Sequence, residues 1–312
     1  MSKLSRPRSG SLQFYPRKRA AKVLHSVNWA PVKGEGILGF IVYKVGMATA
    51  IVRDQAEKSM SYKKQIAIPV TVLEAPNMKI YSVRFYKNNR IIKELAVSND
   101  KELKRKLRAP KQQKSLSEIP QDYDDIKIIV YSIPKQTTIK KTPDILEIAI
   151  SSESKLDFVK EFIGKEISLS DFLKYKILDI RGVTIGKGFQ GPVKRFGITL
   201  KQHKSEKGIR RPGSLGPWHP ARVTFRTPMA GQLGFFSRIT YNSNLIASGK
   251  ISEKNINPPT GFKNYGNIKT SYLIVKGSVQ GPAKRPLLIT PPFRPSKTQL
   301  KKKYEFVEVL TK

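Results

Sequence analysis

Three glycines in "TIGKGFQGPVKRFG", Gly186, Gly188 and Gly191, stand at G-x-G-x-x-G spacing directly after the strand-like run "KILDIRGV". Glycines in such a turn let the backbone approach an anion closely and aim N–H groups at it. Lys187, Lys194 and Arg195 add positive charge around the turn. The chemistry on offer is phosphate binding, and the question is which phosphate. A dinucleotide site needs a strand, a glycine turn, a sustained helix facing the pyrophosphate and an acid about 20 residues on. Pro192 can start a helix, but Gly197 and the β-branched residues of "GITL" oppose its continuation. The next acid, Glu206, comes too early and sits among lysines. A second match, Gly34, Gly36 and Gly39 in "GEGILG", runs straight into a strand-like segment. A chain of phosphates suits the first turn as well as a dinucleotide does, and a plain tight turn with solvated charges is the simpler alternative. The hexapeptide "QGPVKR" (Gln190–Arg195) returns as "QGPAKR" (Gln280–Arg285), each after an apolar run. Two similar loops are expected, the second offering Lys284 and Arg285, without a repeat architecture.

A second constellation lies in "KGIRRPGSLGPWHPARVTFR". Lys207, Arg210, Arg211, Arg222 and Arg226 interleave with Trp218, His219 and Phe225. Guanidinium groups pair with phosphate and stack on bases, and aromatic rings stack on unpaired bases. Trp218 stands between two prolines, so its backbone is stiff, which suits insertion into folded RNA; the alternative is local packing under the loop. His219 reads as a packed or hydrogen-bonded residue, since no acid or second histidine supports a catalytic role. The G-x-S-x-G, H-E-x-x-H and Walker patterns are absent. Asp122, Asp124 and Asp125 read as a solvated loop rather than a metal cluster. The chain has no cysteine and three scattered histidines, which excludes disulfides and Cys-ligated zinc.

Charge points the same way. Lys and Arg total 59 against 23 Asp and Glu in 312 residues, a net of +36. A compact protein so charged repels itself unless a polyanion neutralises it, with nucleic acid ahead of an anionic membrane surface. Apolar residues make up 39% of the chain, enough for part of it to bury a core. The most apolar stretch, "GILGFIVYKVGMATAIV", is broken by Lys44 and glycines. It reads as a core hairpin turning at Gly46 rather than as a membrane span. The N-terminus is basic, Ser-containing and free of acid before Glu35, but Pro7, Gly10 and Pro16 would break a transit-peptide helix.

The elements that must position these groups follow from the pattern along the chain. Residues before Gly34 read as an irregular basic arm, "SRPRSGSLQFYPRKRAAK", carrying Arg6, Arg8, Arg17, Lys18 and Arg19. From Ile180 to Tyr304 only Glu206 and Glu253 are acidic, against 24 Lys and Arg. Arg90–Asp179 is nearly balanced and reads as a self-contained, solvent-facing module. Strands are expected at "ILGFIVYKV", "ATAIVRD", "QIAIPVTVLEA", "KIYSVRFYK", "TSYLIVKGSV" and "PLLIT". Helices are expected at "SSESKLDFVKEFIG", with Leu156, Val159 and Ile163 on one face and Gly164 as its stop. Others are expected at "SLSDFLKYK", with Ser168 and Asp171 in capping-box spacing, and at "DKELKRKLRA", ended by Pro110. The Pro- and Gly-rich stretch after Phe196 has little periodicity, which makes sense if it folds against something else.

The motifs "FQGPVKRFG", "GSLGPWHPARV", "MAGQLGFFSRI" and "LIVKGSVQGPAKR" resemble, in order, those of the universal large-subunit ribosomal protein three family. Upstream, "GFIVYKVGMATAIVRD" and "PVTVLEAPNMKIYSVRFY" match it too, so the resemblance runs from Leu38 onward. The "PWHPA" form resembles archaeal or eukaryotic rather than bacterial members, and the short length resembles the archaeal type. The resemblance implies a mainly β fold: a six-stranded translation-protein β-barrel with an α+β insertion, an extended N-terminal arm and a long central extension. The implied boundaries are 1–36 for the arm, 37–95 with 177–200 and 266–312 for the barrel, 96–176 for the insertion and 201–265 for the extension. It implies a non-enzymatic constituent of the cytoplasmic ribosome that binds 23S rRNA and nucleates assembly, with the loop at Trp218 reaching toward the peptidyl-transferase centre. The implied partners are large-subunit rRNA and neighbouring large-subunit proteins, with no membrane and no small-molecule substrate. No cofactor is implied beyond structural Mg2+ or K+ held by the rRNA. The matched motifs add Phe189, Gln190, Gln232 and Arg238 to the basic and aromatic residues above as rRNA-binding residues. Bacterial relatives methylate the glutamine that Gln232 matches. Eukaryotic relatives carry a histidine where this chain has Glu206, with His203 three residues earlier, so that histidine's role does not transfer. Two other readings stay open: an RNA-modifying or nucleotide-dependent enzyme using the glycine loop, and a chromatin-like DNA binder.

Overall fold

The computed structural model describes residues 10–108, 119–137 and 139–310. Its elements, in chain order, begin with β1 (Gly36–Ile37), β2 (Phe40–Asp54), β3 (Gln65–Ala75), β4 (Met78–Lys87), β5 (Arg90–Ala96), β6 (Asp125–Ser132) and β7 (Ile145–Ser151). Then come α1 (Lys155–Phe162), α2 (Leu169–Phe172), β8 (Ile177–Val183), β9 (Phe189–Gln190), α3 (Pro192–Phe196) and β10 (Gly231–Gln232). The chain ends with β11 (Ser237–Lys250), β12 (Ser271–Lys276), β13 (Pro286–Thr290), α4 (Lys297–Leu300) and β14 (Tyr304–Leu310). The protein is mainly β, with several sheets. It divides into two units: Lys22–Gly182 with Arg238–Lys312, and Met1–Ala21 with Val183–Ser237. Among the described residues no helix is long and apolar enough to cross a membrane.

The larger unit holds two sheets. One has the order β1-β7-β6-β4-β5; the other runs β13-β8-β11-β12-β3-β2-β14, and β13 also pairs with β2. The reason for its unbroken apolar runs is visible in "YLIV" of β12. Tyr272 and Ile274 join one hydrophobic cluster, with Val70 and Val72 of β3, while Leu273 and Val275 join the other, with Leu73 and Ala75. Successive strand residues point to opposite faces, so a sheet buried on both sides needs apolar residues throughout. Each fully buried Val, Leu or Ile contributes roughly 1.5–3 kcal/mol relative to exposure. The buried carboxylate of Glu74 crosses this pattern without disrupting it. It accepts hydrogen bonds from Tyr265 Oη, from the Lys269 amide at 2.8 Å, the Thr270 amide at 3.1 Å and Thr270 Oγ1 at 3.0 Å, pinning the segment before β12 to β3. Burial, and then the charge of Glu74, push the Tyr265 phenol up, so it stays a donor.

Several expectations need correction. Gly46 does not turn a hairpin: β2 is one strand of 15 residues, and the register shift between Lys44 and Gly46 marks a bulge. A bulge bends a long strand while keeping its pairing, which a turn cannot do. The "DKELKRKLRA" helix reduces to a 3-10 turn at Leu103–Arg105, where Leu103 is buried; a single apolar anchor does not hold a longer helix. β11, inside the 201–265 span, was not foreseen; its polar "SRITYNSN" hid a strand that pairs with β8 and β12. β4 lies between β5 and β6 in the five-stranded sheet instead of joining the seven-stranded one. By contrast α1 forms as expected, with Val159 buried, Leu156 and Ile163 packed against the core, and Gly164 at φ +79° beyond its end. The Ser168–Asp171 capping box also forms. Pro110 lies outside the described residues.

Candidate nucleic-acid interface

The smaller unit carries the glycine turn, residues 10–21 of the arm and the Trp218 loop. Residues 184–190 run alongside 231–236. Lys187 N donates to Leu233 O and Leu233 N to Gly188 O, both at 2.9 Å, and Gly231 and Gln232 pair with Gln190 and Phe189. Gly234 makes this possible: its φ is +76°, and a Cβ there would collide with Ile185 O. The arm joins through Ala20 N, which donates to Phe235 O at 2.9 Å. So the glycine turn is one side of a narrow two-stranded stem. Pro192 does start a helix, but α3 has five residues and stops at Gly197, which is left-handed at φ +69°. A helix this short does not supply the sustained helix that a dinucleotide turn requires.

Arg195 is the clip of this stem. Its Nε donates to Gln232 O at 3.0 Å and its Nη1 to Met229 O at 2.9 Å. Arg17 Nη1 donates to Arg195 O at 2.9 Å, and its guanidinium lies 4.3 Å from the centre of the Phe196 ring. Burial, and then the neighbouring charge of Arg17, push the Arg195 guanidinium down from its ordinary value. Gln232 is half-buried and its amide donates to Gly234 O at 3.0 Å; Gln190 likewise donates to Lys187 O at 2.7 Å. These four residues are placed where they hold the stem together. Lys18, Arg19, Lys187, Lys194 and Phe189 stand outward and exposed.

The Trp218 loop is the most open part of this unit. No helix or strand forms between α3 and β10. Thr227 Oγ1 donates to Leu215 O at 2.8 Å and closes the loop around "GPWHPARVTFR". Trp218 is 89% exposed, which rules out local packing under the loop, and Phe225 is 70% exposed. Lys207, Arg210, Arg211, His219, Arg222 and Arg226 are all exposed. Glu206 ion-pairs with Lys201, so one of the two acids in the basic stretch is neutralised internally. An exposed loop with this density of cations and bare rings has the composition of a single-strand or folded-RNA contact.

The second hexapeptide does not repeat the first. "QGPAKR" forms a turn with Gly281 at φ +90° and Lys284 at φ +68°, not a helix. Lys44 Nζ donates to Val279 O at 2.6 Å and Gly281 O at 2.9 Å, clamping the turn onto β2. Gln280 donates to Ile180 O and Arg238 O, so it is a bracket between strands. The expected likeness of the two loops fails because six identical or similar residues do not outweigh different tertiary partners. Lys284 is exposed, while Arg238 and Arg285 are half-buried in the larger unit. Arg6 and Arg8 lie outside the described residues. The aspartates of the 122–125 segment each have their own partner: Lys87 for Asp122, the Asn88 amide for Asp124 and Lys155 for Asp125. Sequence reasoning overlooked Tyr15 and Phe196, which wall a pocket described below; "FYPRKR" carried the hint of an aromatic beside the arm's arginines.

These features define a class: a mainly β protein with a polybasic unit that exposes aromatic rings. Comparison with known proteins is more specific. The family model described as ribosomal protein L3 matches residues 1–109 and 83–310. Among curated relatives, the large ribosomal subunit protein uL3 of Methanococcus vannielii is 40% identical, covering 94% of this chain and 93% of its own. The uL3 of Methanocaldococcus jannaschii is 37% identical, covering 96% and 94%. That of Archaeoglobus fulgidus is 40% identical, covering 95% and 94%. The chain belongs to the ribosomal protein L3 family, with archaeal relatives at this level of identity.

Proposed function

We propose that the protein is a structural constituent of the large ribosomal subunit that binds large-subunit rRNA chiefly through its smaller, polybasic unit. The observation that carries this reading is the open Trp218 loop, where Lys207, Arg210, Arg211, Arg222, Arg226 and the rings of Trp218 and Phe225 stand exposed. Folding against RNA offsets the ordering cost of such a segment by phosphate contacts and counterion release. In this reading Lys18, Arg19, Lys187, Phe189 and Lys194 line the contact beside the stem. Lys207, Arg210, Arg211, Trp218, His219, Arg222 and Arg226 form the inserted finger, directed toward the peptidyl-transferase centre. Arg17, Gln190, Arg195 and Gln232 shape that surface from behind, and Arg238, Lys284 and Arg285 contribute from the larger unit. The ring of pairings β2–β3–β12–β11–β8–β13 and back to β2 supports its assignment as the six-stranded barrel of translation proteins. The protein acts in assembly and in shaping the subunit, not as a catalyst. It needs no cofactor beyond Mg2+ or K+ held by the RNA, and its place is the cytoplasmic ribosome.

The test is co-sedimentation. The endogenous protein is expected with large subunits and is released only by strong salt washing, because many phosphate contacts make affinity fall steeply with salt. A protein found mainly free, or on chromatin, refutes the proposal. Trp218→Ala is expected to keep subunit association but to slow subunit maturation or aminoacyl-tRNA accommodation; normal profiles in both would remove the finger's role.

A further inference from the structure

A cavity of about 400 Å3 opens within the smaller unit, walled by Tyr15, Pro16, Arg17, Arg195, Phe196 and Phe225. Its size falls in the range of small-molecule pockets, roughly 300–1,000 Å3. Its walls are flat and held in place. The Tyr15 and Phe225 rings meet edge to face with centres 5.7 Å apart. The Arg17 guanidinium lies 4.3 Å from the Phe196 centre and 5.4 Å from that of Tyr15, and the Arg195 guanidinium 5.1 Å from Phe196. The bonds of Arg17 to Arg195 O, and of Arg195 to Gln232 O and Met229 O, fix both guanidinium groups. Tyr15 Oη is buried without a hydrogen-bond partner among the described residues. A buried hydroxyl left unpaired is costly, and Phe225 spends most of its ring on solvent.

Charge and shape narrow the occupant. Two guanidinium groups exclude a cationic side chain. A bare phosphate would use the charge but leave three aromatic walls without purpose. A nucleobase uses both, stacking on rings and guanidinium planes while its own phosphate meets the cations. We infer that this pocket receives one unpaired nucleobase of the bound RNA, stacked against its rings and guanidinium planes. A base inside a duplex is held in its stack, so the occupant comes from a bulge or loop. This inference rests on the rRNA-binding reading and adds a subsite to it.

Two RNA hairpins with one stem sequence test it on the full-length protein, one carrying a bulged 2-aminopurine and the other carrying it paired. The bulged hairpin is expected to bind about tenfold more tightly, the typical gain from one stacked base, and to lose fluorescence on binding. Phe225→Leu is expected to lose both the preference and the quench, so that the two hairpins bind alike; Phe225→Tyr keeps both. Phe225 is largely exposed, so the variants are expected to melt with the wild type. Equal binding of both hairpins without quenching, or a quench that survives Phe225→Leu, overturns the subsite. If large-subunit rRNA itself still binds in that case, the broader reading stands; if it does not bind at low salt, both fail. Saturable binding of free 5′-AMP that abolishes the quench would assign the pocket to a free nucleotide and overturn an RNA-borne base.

Discussion

Replacing Arg195 by alanine separates two roles that a basic residue beside a glycine turn can play. In the structure its guanidinium is committed to the chain itself, donating to Gln232 O and Met229 O across the stem. The bond to Gln232 O is part-buried and the bond to Met229 O exposed. A charged donor to a part-buried carbonyl is worth about 1.5 kcal/mol, and an exposed one about 0.5 kcal/mol after competition with water. Losing both costs about 2 kcal/mol, which is about thirtyfold in a local opening equilibrium. Amide hydrogen exchange reads that opening directly. The reporters are the amides of Lys187 and Leu233, which bridge the two sides of the stem. Their protection is expected to fall about thirtyfold in Arg195→Ala, whereas protection of Val72 and Ile274 in the larger unit stays as it was. Arg195→Lys is expected to recover less than half of the loss, because an ammonium cannot serve two divergent carbonyls with a planar fork. RNA affinity should fall with the protection. Unchanged protection together with a large loss of RNA binding would refute the clip and make Arg195 a direct phosphate contact.

Other expectations concern the larger unit. Tyr265→Phe removes a hydrogen bond to the buried carboxylate of Glu74. It is expected to cost about 2 kcal/mol and to lower the thermal midpoint by about 5 °C, with little effect on RNA binding; an unchanged midpoint contradicts the role assigned to Glu74. Asp54 accepts hydrogen bonds from Ser59 and Ser61, which hold its carboxyl below its usual value, with the Ala56 amide adding to them. A depressed folded value stabilises the fold above the unfolded value, about 3.9, and that contribution disappears as pH falls through the folded value. Denaturant titrations should therefore show Asp54→Asn less stable than wild type above pH 5, with the gap closing as pH falls below 4; a pH-independent gap would assign the loss to geometry instead of charge.

Local rules reached a good part of this protein from the residues alone. The helix at Lys155–Phe162, the Ser168–Asp171 box and the apolar strands "QIAIPVTVLEA" and "TSYLIVKGSV" follow from periodicity, capping and propensity, which act over a few neighbours. The failure of the G-x-G-x-x-G turn as a dinucleotide site was also legible, since Gly197 and "GITL" could not extend a helix. Charge is a sum over residues and needs no fold, so the polybasic stretch after Ile180 could be read in advance. Tertiary structure decided the rest, because it alone sets which distant groups share space. Gly46 became a bulge because β2 continues its pairing with β3 on both sides of it. The polar "SRITYNSN" became a strand because β8 and β12 were there to receive its backbone. Hexapeptides that differ at one position diverged because Lys44 clamps one and Arg195 clips the other. Tyr15, Arg17, Phe196 and Phe225 form a pocket though they span more than two hundred positions of sequence, and no pattern of spacing encodes a wall built from residues so far apart along the chain.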